Sequence, residues 1–385
     1  MIEQVFESLL KPISDILGFL LMGGRLPYFG DFAIAPFGFP PLVLWLFAGG
    51  IFFTLKLRFV NLRLFWHGIV CVTGKYNKPD DPGSVTHFQA LSTAISATVG
   101  LGNIGGVAIA VVLGGPGAVI WMVIAAFFGM STKFAEVTLG QLYRHISHDG
   151  EAYGGAFYYL KEGLSELGRP KFGKFLACTF AVCCIGGAIG GGILFQSNQA
   201  VLLISDSFSS LQSHKVLISA VFAIIGGLVL VGGIKRIAIF AETVVPLMAI
   251  IYVTACLVVL YVNRDQIVPA IGIMFSSAFS GSAVGGGVVG AILQGVRRSA
   301  FSNEAGLGSA PIAHATAKTS EPVREGCVAL LEPFIDTIVI CFLTGIMVTV
   351  TGAYLDVDGS VGGVLVTAKA FATVIDWFPM VLSVA

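Results

Sequence analysis

Eight stretches of this sequence stay apolar for about the thickness of a bilayer. A helix rising 1.5 Å per residue crosses a hydrocarbon core of roughly 30 Å in about 20 residues. Such runs stand at roughly 39–59, 88–112, 116–143, 174–203, 215–233, 237–262, 284–318 and 326–353. The pattern predicts an all-α polytopic membrane protein. Charged residues make up only 11% of the 385, against about 25% in an ordinary soluble domain, so a water-soluble globule would lack polar surface. With 22 basic and 22 acidic residues and no basic tract, an electrostatic nucleic-acid binder is excluded as well. The 7 cysteines form no CxxC pair, which points away from a disulfide framework and from a transition-metal site.

The two ends read differently from the spans. Residues 1–22 place Glu3, Glu7, Lys11 and Asp15 among Phe6, Leu9, Leu10 and Ile13. That mixture suits a helix lying on the membrane surface, and 1–37 as a whole reads as an extracellular interfacial segment. It has no basic start, so a cleaved signal peptide is not expected. The stretch 364–375 is short and carries Lys369, and is expected to be interfacial too. Trp377-Phe378-Pro379 then opens an apolar run that stops at Ala385, which reads as a fold left C-terminally incomplete. Fourteen Lys and Arg, among them Lys56, Arg144 and Arg324, fall on one set of loops; Lys11, Arg25, Lys215 and Arg264 fall on the other. The positive-inside rule then places the N-terminus outside a plasma (inner) membrane.

Two of the spans contain the same interruption. One reads Val99-Gly100-Leu101-Gly102-Asn103-Ile104-Gly105-Gly106, the other Asn303-Glu304-Ala305-Gly306-Leu307-Gly308-Ser309-Ala310-Pro311. Both put Gly-Leu-Gly near mid-membrane, and an offset of five spans from the start of one to the start of the other, an odd number, makes the two helices cross in opposite directions. Backbone groups freed at such breaks are intolerable in lipid unless a ligand or a polar cavity satisfies them. The start of a half-helix offers free N–H groups and a positive dipole end to an anion, and freed carbonyls suit a hard cation. Discontinuous helices in an inverted repeat, with substrate and ions at the midplane, are the transporter arrangement that fits. Gly186, Gly187, Gly190 and Gly191, by contrast, read as a helix-packing stripe. Gly100–Gly105 also matches GxGxxG. No turn-bounded strand precedes it and IWMVIAAFF follows where an acidic residue should stand, so a dinucleotide site is rejected.

The run from Thr98 to Arg144, the YGGAFYYLKEGL segment, and FSNEAGLGSAPIAHATAKTSEPVREG from Phe301 resemble the alanine or glycine:cation symporter family, the sodium:alanine symporters. VGLGN from Val99 is also similar to the first broken helix of the neurotransmitter:sodium symporters. The resemblance implies a LeuT-type inverted repeat with two discontinuous helices in a single transmembrane domain, 1–385. Residues 39–59 would be an extra helix, 88–262 the first five-helix repeat, and 284–385 a partial second repeat lacking its last three core helices. Leu101 departs from the threonine common in the family. The amides of Leu101 and Gly102 are then expected to receive a substrate carboxylate. Carbonyls of Ser96, Thr98 and Val99, with the Asn103 side chain, would surround Na⁺. Phe301, Ser302 and Asn303 would line the substrate pocket, with Gln196 from a third helix and Ile193 as a wall. The expected cargo is a small neutral amino acid, alanine or glycine, carried with Na⁺ as coupling ion and with membrane lipid as surroundings. No catalytic group and no cofactor is implied.

Other ionisable residues inside spans are suspects by default. Lys133 and Glu136, three apart, read as a structural ion pair. Glu304 fits either a cap for the broken helix or a part in ion coupling. Glu332 and Asp336 suit either a proton or cation relay or a polar patch. Arg297 and Arg298 suit neutralising Glu304 or an outer gate. The 6 histidines are scattered through the sequence. Proton coupling through Glu304 and Asp336 is the nearest rival to sodium coupling. A channel or a membrane-embedded enzyme is remote, since no HExxH stands in the sequence.

Overall fold

A computed structural model describes residues 40–148, 150–279, 287–355, 357 and 362–384. The segment expected at 1–37 lies outside the described residues. Helices begin where the sequence supplies the means. α1 (Pro41–Lys56) opens on a proline, whose fixed φ and missing N–H suit a first helical position. Short helices Val60–Arg63 and Phe65–Val72 follow. α2 (His87–Thr98) opens on a capping box: the Gln89 amide donates to the Thr86 hydroxyl at 3.2 Å, and the Thr86 amide donates to the Gln89 side chain at 3.0 Å. α2 ends at Val99, and α3 (Leu101–Gly114) resumes after Gly100 with its axis bent by 43°.

Next come α4 (Gly117–Leu142), a short hairpin pairing His145 with Tyr153, α5 (Ala156–Glu166) and α6 (Pro170–Ser207). α7 (Lys215–Leu230), α8 (Gly233–Val262) and α9 (Arg264–Phe279) lie beyond them. α10 (Gly287–Asn303) and α11 (Ala310–His314) flank the second break. α12 (Pro322–Thr351), α13 (Gly363–Ala372) and α14 (Phe378–Val384) follow. Among the described residues, α4, α6, α8 and α12 are each long and apolar enough to cross a membrane, and the bent pair α2–α3 adds a fifth span if taken as one. α1 and α7 are apolar but only 16 residues long.

α4 is the axis of the packing, with α1, α9, α10, α11 and α12 against it. Small residues let the backbones close, as expected where lipid offers no hydrophobic drive between helices. A Cβ on Gly117 would stand 2.3 Å from the Ala278 nitrogen, and one on Gly295 would stand 2.4 Å from the Ala118 carbonyl oxygen. α3 packs on α10 while α2 packs on α11. The first half of one broken helix thus meets the second half of the other, so the two run in opposite directions.

Three expectations are corrected. Of Gly186, Gly187, Gly190 and Gly191, only Gly191 has a described atom within 4 Å of an added Cβ, the Phe301 ring at 3.4 Å, so among the described residues this run brings no two helix backbones together. It instead leads into a π-helical segment, Ala188–Leu194, inside α6; glycine's poor helix propensity lets the tighter α-helical bonding give way there. The stretch expected at the membrane surface, 364–375, is buried as α13, with the Thr367 hydroxyl donating to the Ile104 carbonyl at 2.8 Å. Finally, 264–279 is a helix that hydropathy does not reveal, because Arg264, Asp265 and Pro269 interrupt its apolar run.

Candidate functional site

At the first break, Asn103 bridges the gap. Its side-chain oxygen accepts from the Gly100 amide at 3.1 Å, and its backbone amide donates to the Gly100 carbonyl at 3.0 Å. The amides of Leu101 and Gly102 lie in the first turn of α3, where a helix has no internal acceptor for them. Val99 and Thr98 are buried beside the break, and the Thr98 hydroxyl is turned back to the Ile95 carbonyl at 3.3 Å. The Ser96 side chain is exposed and donates to the Thr93 carbonyl.

At the second break, Glu304, Gly306 and Gly308 have φ values of 53°, 86° and 78°. The left-handed region suits the two glycines and strains the glutamate. Asn303 holds the turn: its oxygen accepts from the Ala305 amide at 3.1 Å, and its nitrogen donates to Ser299 and Thr337 at 3.0 Å each. Glu304 accepts from the Ser309 hydroxyl at the foot of α11, in keeping with a cap. The Gly308 amide donates to Glu136 of α4 at 3.1 Å.

One residue ties the two breaks together. Asp336, fully buried in the π-helical segment Phe334–Cys341 of α12, accepts from the Asn103 side chain at 2.6 Å, from Ser302 at 2.7 Å and from Thr337 at 2.7 Å. Its backbone carbonyl takes a second bond from Asn103 at 3.0 Å. The wider turn of a π-helix leaves such a carbonyl open to an outside donor. The neighbours at hydrogen-bond distance are neutral donors, and the charged group of opposite sign that reaches Asp336 is the buried Arg298 guanidinium, farther off. A cation or proton joining the Asp336 carboxylate there would offset more of the cost of burying that charge.

Asn103, Ser302 and Asn303 come together around Asp336 and Thr337, while Phe301 and Gln196 make their contacts elsewhere along the break. There Arg298 donates to the Gly102 carbonyl at 2.8 Å, with its guanidinium 4.6 Å from the Phe301 ring centre and 5.6 Å from that of Phe195. It fills the space a side chain at Gly106 would need, and so serves neither as a neutraliser of Glu304 nor as its ion-pair partner. Gln196 reaches from α6 to the Ala97 carbonyl at 3.4 Å. Ile193 is 62% exposed and makes no pocket wall. A small cavity opens instead on the Asn103 side of the break, lined by Val99, Gly100, Asn103, Tyr252, Ile340 and Phe378 among others.

Beneath the breaks lies a polar zone that sequence reasoning reached only in pieces. Lys133 does approach Glu136, at 3.8 Å, but stands nearer Glu332, at 3.1 Å. Glu325 accepts from His314 at 2.6 Å and also contacts His87. Histidines 227 positions apart have no spacing by which to be paired, so only the helix interruptions on either side could have hinted at it. Outside the spans, Arg144 binds the carbonyls of Pro82, Ala315, Ala317 and Thr319, lacing the approach to α2 onto the exit from α11. Burial pulls the Arg144 pKa down, while Glu325 and Asp81 pull it up. Burial raises that of Asp81, but the Lys78 amide, Ser320 and Arg324 outweigh it and hold the carboxyl below its ordinary range.

Oppositely directed, interrupted helices that gather buried polar groups inside an apolar bundle define a multi-pass membrane transport protein. The chain belongs to the sodium:alanine symporter family, whose profile matches residues 32–385. It is 41% identical to the sodium/alanine symporter AgcS of Methanococcus maripaludis over 360 residues, 88% of this chain and 78% of that protein. It is 36% identical to the probable sodium/glutamine symporter GlnT of Bacillus subtilis over 317 residues, 81% of this chain and 63% of that one. It is also 36% identical to the putative sodium/proton-dependent alanine carrier protein YrbD of Bacillus subtilis over 318 residues, 82% of this chain and 62% of the carrier. Membership of this family makes the protein a transporter and not an enzyme, with sodium and amino acids as the family's cargo.

Proposed function

We propose that the protein carries a small neutral amino acid, alanine or glycine, together with Na⁺ by alternating access in a LeuT-type inverted repeat. The observation that carries this reading is Asp336, a buried carboxylate bonded to both broken helices through Asn103 and Ser302. A cation held there, with the carbonyls of Ser96, Thr98 and Val99 and the oxygen of Asn103 as neighbours, would fasten the two helices in one state. The free amides of Leu101 and Gly102 would take the substrate carboxylate, with Gln196, Phe301, Ser302 and Asn303 around the remainder. Work is then done by differential binding between states rather than by chemistry. The name of the 41% identical relative supports alanine. The membrane is the cell's plasma membrane, with the N-terminus outside.

A proton at Asp336 in place of Na⁺ is the second reading, favoured by the same buried carboxylate. Uptake of labelled alanine into proteoliposomes under an imposed Na⁺ or H⁺ gradient separates the two. The sodium reading expects accumulation with Na⁺ alone; accumulation driven by H⁺ alone, or uptake competed best by leucine, overturns it.

A further inference from the structure

Glu325 sits between two imidazoles, touching Nδ1 of His87 with one oxygen and Nδ1 of His314 with the other, the latter at 2.6 Å. Nε2 of His314 lies 3.8 Å from Glu332, whose other oxygen is 3.1 Å from Nζ of Lys133. Lys133 stands 3.8 Å from Glu136, and Glu136 holds the Gly308 amide in the second break at 3.1 Å. These six side chains lie in series from the first residue of α2 to the turn between α10 and α11, with gaps of 3.8 Å at His314–Glu332 and Lys133–Glu136. All are buried, none more than 6% exposed.

Charge decides what such a sequence must hold. Three carboxylates and one ammonium leave two negative charges in excess, and two imidazolium ions cancel them. The cluster is neutral only with two protons beyond that on Lys133, whether they sit on the imidazoles or on the carboxylates. Burial penalises any other count, since an unmatched charge is far costlier here than in water. Nε2 of His87, Nε2 of His314, Nζ of Lys133, Oε1 of Glu136 and Oε2 of Glu332 are buried without a hydrogen-bond partner, so the cluster has unsatisfied polar positions along its whole length. Other groups face the cluster too. Glu304 lies near Lys133, Tyr159 of α5 near Glu136, and Arg144 and Cys71 near Glu325. Cys327 adjoins Glu325, Cys184 of α6 faces Glu304, and Arg324 points away to Asp81 at 3.9 Å. Among these, Glu304 adds a negative charge and Arg144 a positive one, which offset each other in the count, as do Asp336 near Glu332 and Arg298 near Asp336. The Arg144 donors are taken by backbone carbonyls.

We propose that His87, Glu325, His314, Glu332, Lys133 and Glu136 form a proton-binding relay whose occupancy sets whether the second broken helix rests on α4. The inference rests on the alternating-access reading above. With two protons bound the cluster is neutral and Glu136 stays committed to Gly308. Loss of one leaves net negative charge, which water relieves once α11 lifts away. Rising pH therefore favours the lifted state.

The test needs no substrate. Ala310, at the start of α11, is 4% exposed against α4. Ala310→Cys is introduced with Cys178, Cys183 and Cys184 changed to Ser, and its modification by a water-soluble maleimide is timed at pH 6 and pH 8.5. The thiol's own titration is the same with or without Glu325→Gln, so the two backgrounds are compared. The relay expects the pH 8.5 to pH 6 rate ratio to be about tenfold larger in the parent than with Glu325→Gln. His314→Gln and His87→Gln should each lower it, and they stand in if Glu325→Gln does not fold. Equal ratios in parent and variants overturn the relay, because a purely structural cluster would shift both rates together. Alanine exchange on the same preparation is read separately. Its absence counts against the proposed cargo and leaves the labelling result to decide the relay.

Discussion

Asp336 is the residue on which the two breaks depend. Replacing it by asparagine keeps its size but removes the charge that Asn103 and Ser302 hold. Hydrogen bonds to charged groups contribute about 1.5–3 kcal/mol each, so Asp336→Asn is expected to weaken sodium activation of uptake by about ten- to a hundredfold. A Na⁺ titration of labelled alanine uptake measures it, and unchanged half-saturation would remove Asp336 from the coupling site. How far such residues are legible from sequence follows from their distance to a partner. Asn103, Ser302 and Asn303 flank the glycines that expose them, and a polar group beside a helix break in lipid announces itself. Asp336 lies 233 positions from Asn103, so it could be suspected of a relay or a polar patch but not joined to the first break. Phe301 and Gln196 were legible as residues near a break, but not their partners, since the Ala97 carbonyl that Gln196 meets lies 99 positions away.

Among the elements, the joints matter more than the rods. Hydropathy reveals α4, α8 and α12 almost to their ends, since apolar length is all a long span needs. It cannot reveal the π-helical turns in α6 and α12, which change hydrogen-bond register without changing composition. Nor could it find the clamp at Arg144, four carbonyls drawn from loops on both sides of the broken helices. Arg144→Lys cannot serve those carbonyls with a planar fork. It should lower stability by about 2–4 kcal/mol, seen as a drop in melting temperature in detergent. Asp81 reinforces the same region through Lys78 and Arg324. Its folded-state pKa is depressed, so its contribution is present above its ordinary pKa near 4 and is lost as pH falls through the lower folded value. The melting difference between parent and Asp81→Asn should therefore be visible at pH 7 and vanish in acid.

For the whole molecule, the distribution of Lys and Arg sets which face meets the cytoplasm. The loop carrying Lys75 and Lys78 and the stretch carrying Lys161 and Lys171 should be modified by an impermeant amine reagent only from the cytoplasmic side, in inverted but not in right-side-out vesicles. Labelling of these lysines from outside would reverse the assigned orientation. One contact has a mechanical corollary. A Cβ on Gly363 would fall 1.9 Å from the Gly105 carbonyl oxygen, so α13 and the upper half of the first broken helix touch backbone to backbone. Phe371 of α13 meets Phe378 of α14 with ring centres 4.5 Å apart, and Phe378 lines the cavity at the break. The floor of that cavity is thereby geared to its wall, and any tilt of the one is delivered to the other without slack.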